Sequence, residues 1–183
     1  MKRFPTRLVA LAAAAALFGF GAAYLVLQTT NPASAPGLAA PPAPRLLREG
    51  QAAPEFALDT LEGKTVRLAD FRGKRVLINF WASWCAPCVV ETPDLVAANR
   101  LLREANRDII FLGVATQDAP ADVQRFTESR NVDYAILLDP KGVVGNAYGV
   151  FGLPATFFVD ESGIVRRIVS GAITRERVLA EFQ

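Results

Sequence analysis

The sequence predicts an α/β fold in which helices flank a central mixed β-sheet. Apolar runs of strand length, such as the "RVLINFW" of Arg75–Trp81, alternate with longer segments whose apolar residues recur at helical spacing. Strands that alternate with helices favour parallel pairing. The last two strand-like runs are instead joined by the turn sequence "DESG" at residues 160–163, which is typical of an antiparallel hairpin. The sheet is therefore predicted to be mixed.

The folded part is predicted to begin with a β-hairpin extension. Residues 56–60 and 65–68 are short strand-like runs on either side of the turn sequence "LEGK". The run at Arg75–Trp81 is almost continuously apolar, as expected of a central strand that is covered on both faces. A helix is predicted over residues 85–106. Pro87 falls in its first turn, where a missing N–H group costs no hydrogen bond.

Beyond this helix, strands and helices continue to alternate. Apolar runs predict the strands, and apolar periodicity or capping residues predict the helices. The expected elements are a buried strand at 109–115, a helix starting near Pro120, a short strand at 135–138, a short helix or turn within 142–150, a closing hairpin of strands 156–159 and 164–170, and a last helix capped by Thr174. One domain over residues 49–183 accommodates all of them.

The N-terminal segment predicts a single transmembrane helix. Residues 1–7 carry three basic side chains, and residues 8–27 form a 20-residue run without a charge. About 20 apolar residues cross the bilayer core as a helix, and the basic flank keeps the N-terminus in the cytoplasm. A cleaved signal peptide is the alternative, because "ASA" at 33–35 resembles a cleavage site. Either way, the domain is expected outside the cytoplasm, after a proline- and alanine-rich linker at residues 28–48.

The composition excludes several classes of function. The net charge is +2, and the positive excess lies in the first seven residues, so the folded part is near neutral. Without a basic block, nucleic acid is not an expected partner. The chain contains no histidine, which removes Cys–His and Ser–His nucleophile pairs and a C-x-x-C-H haem attachment. No metal site is predicted, because two cysteines alone do not supply the four ligands of zinc.

The only two cysteines form a C-x-x-C motif at the predicted start of the helix after the central strand. Cys85 and Cys88 are three residues apart. Unpaired N–H groups and the positive end of the helix dipole favour a thiolate at this point, so Cys85 is the predicted nucleophile. It would attack a partner's disulfide, and Cys88, one turn further on the same face, would resolve the mixed disulfide. No cofactor other than this redox-active disulfide is predicted.

Two other interpretations of the cysteine pair stay open at this point. An inert local disulfide closes so short a loop that it hardly constrains the unfolded chain, which disfavours a stabilising role. A copper(I) ion held by both thiolates is chemically reasonable, because soft thiolates select this metal.

Several segments carry a resemblance to a known family. The stretch "NFWASWCAPC" at 79–88 resembles the active-site segment of the thioredoxin superfamily. The stretches "WCAPCVVETP" at 84–93 and "YGVFGLPATFFVDESGIV" at 148–165 together resemble the membrane-anchored TlpA/ResA-like thiol–disulfide proteins, which include the cytochrome c maturation reductases. The lead-in at 53–74 is similar to the peroxiredoxin-related branch. The resemblance covers residues 50–182 and implies a thioredoxin-like fold.

The resemblance also implies a partner-docking surface around the cysteines. "GLPATF" matches the cis-proline loop of the family, so Leu153 and Pro154 are expected to face the cysteines and to offer backbone groups to an extended partner chain. Trp84, beside Cys85, is expected to border the same surface. The residues between the two cysteines, Ala86 and Pro87, complete the predicted docking set.

Glu91 matches the acidic residue of the C-x-x-C-x-x-E-x-P pattern of this family. It follows Cys88 by three residues and so lies one turn further along the same helical face. If Glu91 is partly buried, its pKa is raised and it can move a proton to or from the Cys88 sulfur. The alternative is a solvated glutamate on the helix surface.

The predicted function is that of an extracytoplasmic thiol–disulfide oxidoreductase that reduces specific protein disulfides. The resemblance implies apocytochrome c or a copper-site protein as substrate, and a membrane electron donor that reduces the protein again. A peroxiredoxin-like peroxidase is one alternative, although the P-x-x-x-T/S-x-x-C pattern of such enzymes is missing. A copper(I)-binding or delivery module is the other.

Overall fold

The structure is a computed structural model that describes residues 46–182. The predicted basic segment at 1–7, the predicted membrane anchor at 8–27 and nearly all of the predicted linker at 28–48 lie outside the described residues. Within residues 46–182, no helix is both long enough and apolar enough to cross a bilayer.

Seven strands form one sheet in the order β2-β1-β5-β4-β3-β6-β7. The described elements, in chain order, are β1 (Ala57–Thr60), β2 (Thr65–Arg67), a 3₁₀ turn (Leu68–Phe71), β3 (Arg75–Trp81), α1 (Ala86–Glu104), β4 (Ile109–Thr116), α2 (Pro120–Ser129), β5 (Ala135–Asp139), α3 (Val143–Ala147), β6 (Ala155–Val159), β7 (Val165–Ser170) and α4 (Arg175–Glu181).

The sheet is mixed, as predicted. Strands β3, β4 and β5 run parallel, and helices α1 and α2 connect them. Strand β6 pairs antiparallel with β3, and β7 pairs antiparallel with β6. On the other side, β1 pairs antiparallel with both β5 and β2, which confirms the predicted hairpin extension. The topology thus combines a parallel centre with an antiparallel hairpin on each side.

Most element boundaries differ from the predicted ones by only a few residues. The helix predicted over 85–106 is α1, with Cys85 as its N-cap rather than its first residue. The 3₁₀ turn of Leu68–Phe71 was not predicted. Arg67, which precedes the turn, donates its N–H to Asp70 Oδ2 at 2.9 Å. A turn of this length is too short to show a helical period in the sequence.

The central strand β3 divides the core into two sides by its alternation. Val76, Ile78 and Phe80 belong to the buried cluster that includes α3, β1 and the aromatic ring of Tyr148. Leu77 and Trp81 belong to the clusters on the opposite face, which include α1, α2 and α4. Asn79 lies between them in the alternation and therefore faces the same side as α1. A polar side chain is thus placed between the central strand and the helix that carries the cysteines.

Candidate active site

The two cysteines lie where β3 ends and α1 begins. Cys85 is the N-cap of α1, and its Sγ accepts a hydrogen bond from the Cys88 N–H group at 3.3 Å. The two residues form a disulfide bond, with 5.3 Å between their Cα atoms. Cys88 is fully buried, whereas Cys85 lines a groove on the surface. The sulfur that a partner can reach is therefore that of Cys85.

The loop before Cys85 is held by the segment that follows β4. Ser83 donates its N–H to Asp118 Oδ2 at 2.6 Å, and the Trp84 indole Nε1–H donates to the Gln117 carbonyl at 3.2 Å. Sequence analysis missed this support. Gln117 and Asp118 directly follow β4, which is the parallel neighbour of β3 in the sheet. The carboxyl ends of parallel neighbours lie at the same edge of a sheet, so residues that follow β4 can be expected near the cysteine loop.

The cis-proline loop lies beside the cysteines. The Leu153–Pro154 peptide bond is cis, as the resemblance implied, and the Pro154 carbonyl accepts a hydrogen bond from Gly171 N–H at 2.8 Å. Leu153 lines the same groove as Cys85. This docking groove has a volume of about 400 Å³, and its lining residues are Trp84, Cys85, Ala86, Pro87, Thr116, Gln117, Gly142, Gly145, Asn146, Val150, Phe151, Gly152 and Leu153.

Four of the five predicted docking residues line the docking groove, whereas Pro154 lines only a second groove. This second groove, of about 650 Å³, shares residues 150–153 with the docking groove and continues on the far side of Leu153 toward Ile168 and Gly171. Among the described residues, none that lines either groove carries a charge at pH 7. The surface around Cys85 therefore suits an uncharged stretch of polypeptide.

Phe151 is the most exposed large apolar residue of this surface. Its side chain is 84% exposed, and that of Trp84, also in the docking groove, is 62% exposed. Two aromatic rings left in water beside a reactive cysteine are typical of a binding surface. Phe151 was not among the predicted site residues. The sequence does not show whether an apolar residue in a short loop faces the core or the solvent.

Glu91 is buried behind the cysteines on α1, and only 2% of it is exposed. Burial raises the pKa of Glu91 to about 7, and hydrogen bonds from Asn79 and from the Ile173 N–H group partly oppose this shift. The structure therefore places Glu91 in the environment that its predicted role requires, rather than on the solvated helix surface. A carboxyl group with a pKa near neutrality can both accept and return a proton.

Asn79, Thr156 and Ile173 surround Glu91 and were not among the predicted site residues. Asn79 Nδ2 donates to Glu91 Oε1 at 2.9 Å and to Thr156 Oγ1 at 3.0 Å, and Ile173 N–H donates to Glu91 Oε2 at 3.0 Å. We call these four residues the buried acid site. Asn79 had a visible signal, since it is the one uncharged polar residue inside an otherwise apolar strand. Ile173 had none, because it contributes a backbone group.

Within residues 46–182, no cluster of three or more His, Cys, Asp or Glu side chains is arranged to bind a metal ion. The reactive groups that the structure brings together are the two sulfur atoms of the disulfide and the Glu91 carboxyl group on the same helix. A reactive disulfide at a helix N-terminus, beside a cis-proline loop, defines a thiol–disulfide oxidoreductase.

Comparisons with known proteins lead to the same class. The AhpC/TSA family matches residues 49–168. The thiol-disulfide oxidoreductase ResA of Geobacillus thermodenitrificans is 37% identical over 129 residues, which are 70% of this chain and 73% of the relative.

Solved structures agree in fold. A secreted Mycobacterium tuberculosis disulfide oxidoreductase, homologous to DsbE of E. coli, aligns with a TM-score of 0.61 and 28% identity over 68% of this chain and 95% of the other. The exposed lipoprotein thioredoxin Etrx1 of Streptococcus pneumoniae aligns with a TM-score of 0.61 and 30% identity over 70% and 98%. The thioredoxin-like fold is thus confirmed, and the chain belongs to the ResA-like thiol–disulfide oxidoreductases of the thioredoxin superfamily.

Proposed function

We propose that the protein is an extracytoplasmic reductase of specific protein disulfides that works through a Cys85/Cys88 dithiol–disulfide cycle. The observation that carries this proposal is the position of the cysteine pair between an uncharged groove and the buried carboxyl group of Glu91. One side of the pair is open to a partner chain, and the other side offers a proton acceptor. The pair itself stores the two electrons, so the proposal requires no other cofactor.

The first half of the reaction takes place at Cys85. In the reduced protein, the start of α1 stabilises the Cys85 thiolate, which attacks one sulfur of a substrate disulfide. A bond forms between Cys85 Sγ and that sulfur, the substrate S–S bond breaks, and the second substrate sulfur leaves as a thiolate that takes a proton from water. Trp84, Ala86, Pro87 and the Leu153–Pro154 loop would hold the substrate chain during this step.

The second half takes place at Cys88. Glu91, as a carboxylate, accepts the proton of the Cys88 thiol, and the Cys88 thiolate attacks Cys85 Sγ. The Cys85–Cys88 disulfide forms, the mixed disulfide breaks, and the remaining substrate thiolate leaves and takes a proton from water. Glu91 keeps the proton of Cys88 until the disulfide is reduced again. The substrate disulfide has gained two electrons, and the dithiol of the protein has lost two.

The groove supports a protein substrate whose disulfide is flanked by uncharged residues. A charged side chain placed in the docking groove would lose hydration without finding an opposite charge there. Apocytochrome c and copper-site assembly proteins, each with a pair of cysteines to be kept reduced, are the substrates that the family resemblance supports.

The proposed location is the outer face of the cytoplasmic membrane. The apolar run at residues 8–27, with basic residues before it, supports a single membrane anchor with the domain on the extracytoplasmic side. Two of the similar proteins are described as secreted or exposed. In an oxidising compartment, a reductase needs electrons from elsewhere, so a membrane electron donor that reduces the Cys85–Cys88 disulfide is part of the proposal.

The three candidate activities separate in one set of assays on the purified protein. Reduction of insulin disulfides, consumption of hydrogen peroxide and binding of copper(I) to the reduced protein are measured side by side. The proposal expects disulfide reduction that depends on both cysteines. Peroxide consumption without disulfide reduction would favour the peroxidase, and tight copper(I) binding that blocks disulfide reduction would favour the metal-delivery module.

The substrate is identified by trapping. Cys88→Ala leaves Cys85 able to attack but removes the resolving thiol, so mixed disulfides accumulate in cells. We expect the trapped partners to be extracytoplasmic proteins with a cysteine pair. Partners that are exclusively cytoplasmic would contradict the proposed location.

A further inference from the structure

Both carboxylate oxygens of Glu91 accept hydrogen bonds from amide groups that belong to different parts of the fold. Oε1 accepts from Asn79 Nδ2 at 2.9 Å, and Oε2 accepts from Ile173 N–H at 3.0 Å. Asn79 lies on the central strand β3, and Ile173 lies in the loop between β7 and α4. The carboxyl group is thus held at both of its oxygens, each of which keeps a second lone pair for another proton donor.

Thr156 accepts the second hydrogen of the Asn79 amide. Asn79 Nδ2 also donates to Thr156 Oγ1 at 3.0 Å, and the two residues are register partners between β3 and β6. Because an ionised carboxylate oxygen can only accept, the Asn79 amide presents its NH2 group to Glu91. A donor stabilises the charged form of a carboxyl group over its neutral form.

The second donor is fixed independently of the first. Ile173 belongs to the same short loop as Gly171, whose N–H group donates to the Pro154 carbonyl at 2.8 Å. The cis-proline loop therefore keeps the Ile173 segment in place even when Asn79 is changed. Loss of Asn79 removes one of the two donors and leaves the other.

We propose that Asn79 and the Ile173 N–H group form an amide clamp that favours the carboxylate form of Glu91 and holds it in one orientation, ready to accept the Cys88 proton. Asn79 is then a positioning residue that acts through Glu91. The inference rests on the proposed function, in which the proton moves from Cys88 Sγ to Glu91 before Cys88 attacks Cys85. The clamp itself neither gains nor loses a proton.

Few other titratable groups surround Glu91. Cys85 and Cys88 lie at the start of the same helix. Tyr134 lies directly before β5, and its pKa is raised by burial and by the charges of Glu91 and Asp133. Burial raises the pKa of Glu91 to about 7, and no charged side chain of the described residues contributes to that value. The two amide donors are therefore the groups that oppose the effect of burial.

The clamp is tested by titrating Glu91 in the disulfide form of the protein, with NMR of the carboxyl carbon after ¹³C-glutamate labelling. Asn79→Ala is expected to move the Glu91 midpoint upward by about one pH unit, because one hydrogen bond to a charged group is lost. Thr156→Val is the matched control, since it alters the same network but leaves both donors to Glu91, and its shift should be less than half as large. A midpoint that Asn79→Ala leaves unmoved overturns the clamp.

A kinetic measurement tests the link to Cys88. The rate at which Cys88 resolves a mixed disulfide is followed between about pH 5 and pH 9 in the full chain. Asn79→Ala should move the inflection upward by the same amount as in the NMR titration and should have no further effect in a Glu91→Gln background. An equal effect in that background means that Asn79 acts by another route, and it overturns the proposal.

Asn79→Asp keeps the shape of the side chain and serves if Asn79→Ala does not fold. Two facing carboxyl groups share one proton, so the titration should split into two steps. A single step at the original midpoint would again overturn the clamp. Failure of the proposed function looks different, because the resolution rate then stays the same in Glu91→Gln while the NMR midpoint still responds to Asn79.

Discussion

The two sides of the cysteine pair differ in exposure to water and in the presence of an ionisable group. On the outer side, the docking groove is uncharged, and its aromatic rings of Trp84 and Phe151 are mostly in contact with water. On the inner side, the buried acid site places the carboxyl group of Glu91 among amide donors and almost completely out of water. The first side is suited to recognising a polypeptide and the second to moving a proton. We therefore expect substrate recognition on the first side and proton transfer on the second.

The largest expected effect is the loss of disulfide reduction when either cysteine is replaced, and the two replacements should differ in whether a mixed disulfide still forms. Cys85→Ser should lower disulfide reduction to the uncatalysed rate, because the accessible nucleophile is lost. Cys88→Ser should also stop turnover, but it should still form a mixed disulfide that gel electrophoresis under non-reducing conditions detects. A mixed disulfide that forms in Cys85→Ser instead would show that the buried cysteine is the one that partners reach.

The second effect concerns the inner side and depends on pH. The raised pKa of Glu91 means that the folded disulfide form binds this proton more tightly than the unfolded chain does, whose value is near the ordinary 4.5. The stability that follows is fully present below about pH 4.5 and is lost as the pH rises through about 7, a total of about 3 kcal/mol. Glu91→Gln removes the titrating group and should remove this pH dependence.

The measurement is the free energy of unfolding of the disulfide form at pH 4.5 and at pH 8, from denaturant titrations. The Gln amide can accept from only one of the two donors, so Glu91→Gln carries a cost that does not depend on pH. We therefore expect its stability relative to the unchanged protein to rise by about 3 kcal/mol between pH 4.5 and pH 8. Glu104→Gln is the matched control, since Glu104 lies on the same helix but is exposed. Equal stability differences at both pH values would mean that Glu91 is not titrating in the buried acid site.

The same two sides also differ in how far the sequence predicts them. The strands, the order of the elements and the place of Cys85 at a helix start follow from apolar runs and from the C-x-x-C motif. Glu91 was found through its spacing from Cys88 and its match to the family pattern. These features depend on residues that are close together along the chain, where spacing has a direct geometric meaning.

The partners of Glu91 were not predicted, for a physical reason. Ile173 lies 82 residues after Glu91 along the chain and contributes only its N–H group, which every residue except proline possesses. Phe151 was missed because apolar character alone does not distinguish a core residue from one exposed for binding. Long-range backbone contacts and the exposure of single side chains require the fold itself.

The third effect tests the outer side. Phe151→Ser should lower kcat/KM for a protein disulfide about tenfold, because a phenyl ring that is partly covered by the substrate contributes about 1.5 kcal/mol. A small disulfide such as hydroxyethyl disulfide does not extend to this ring, so its reduction should be unchanged. Val90→Ser is the control, since Val90 is an exposed apolar residue that lines neither groove. Equal losses with both substrates would place Phe151 outside substrate recognition.

The smallest effect is expected at Trp84, which belongs to the outer side but also supports the cysteine loop. Trp84→Phe keeps an aromatic ring in the docking groove and removes the indole hydrogen bond to the Gln117 carbonyl. An exposed hydrogen bond contributes about 0.5 kcal/mol, so kcat/KM should fall about twofold. Because this bond positions the loop that carries Cys85, the fall should be the same for a protein disulfide and for hydroxyethyl disulfide, unlike that of Phe151→Ser. A loss confined to the protein substrate would assign Trp84 to substrate docking alone and would leave the loop to the bond between Ser83 and Asp118.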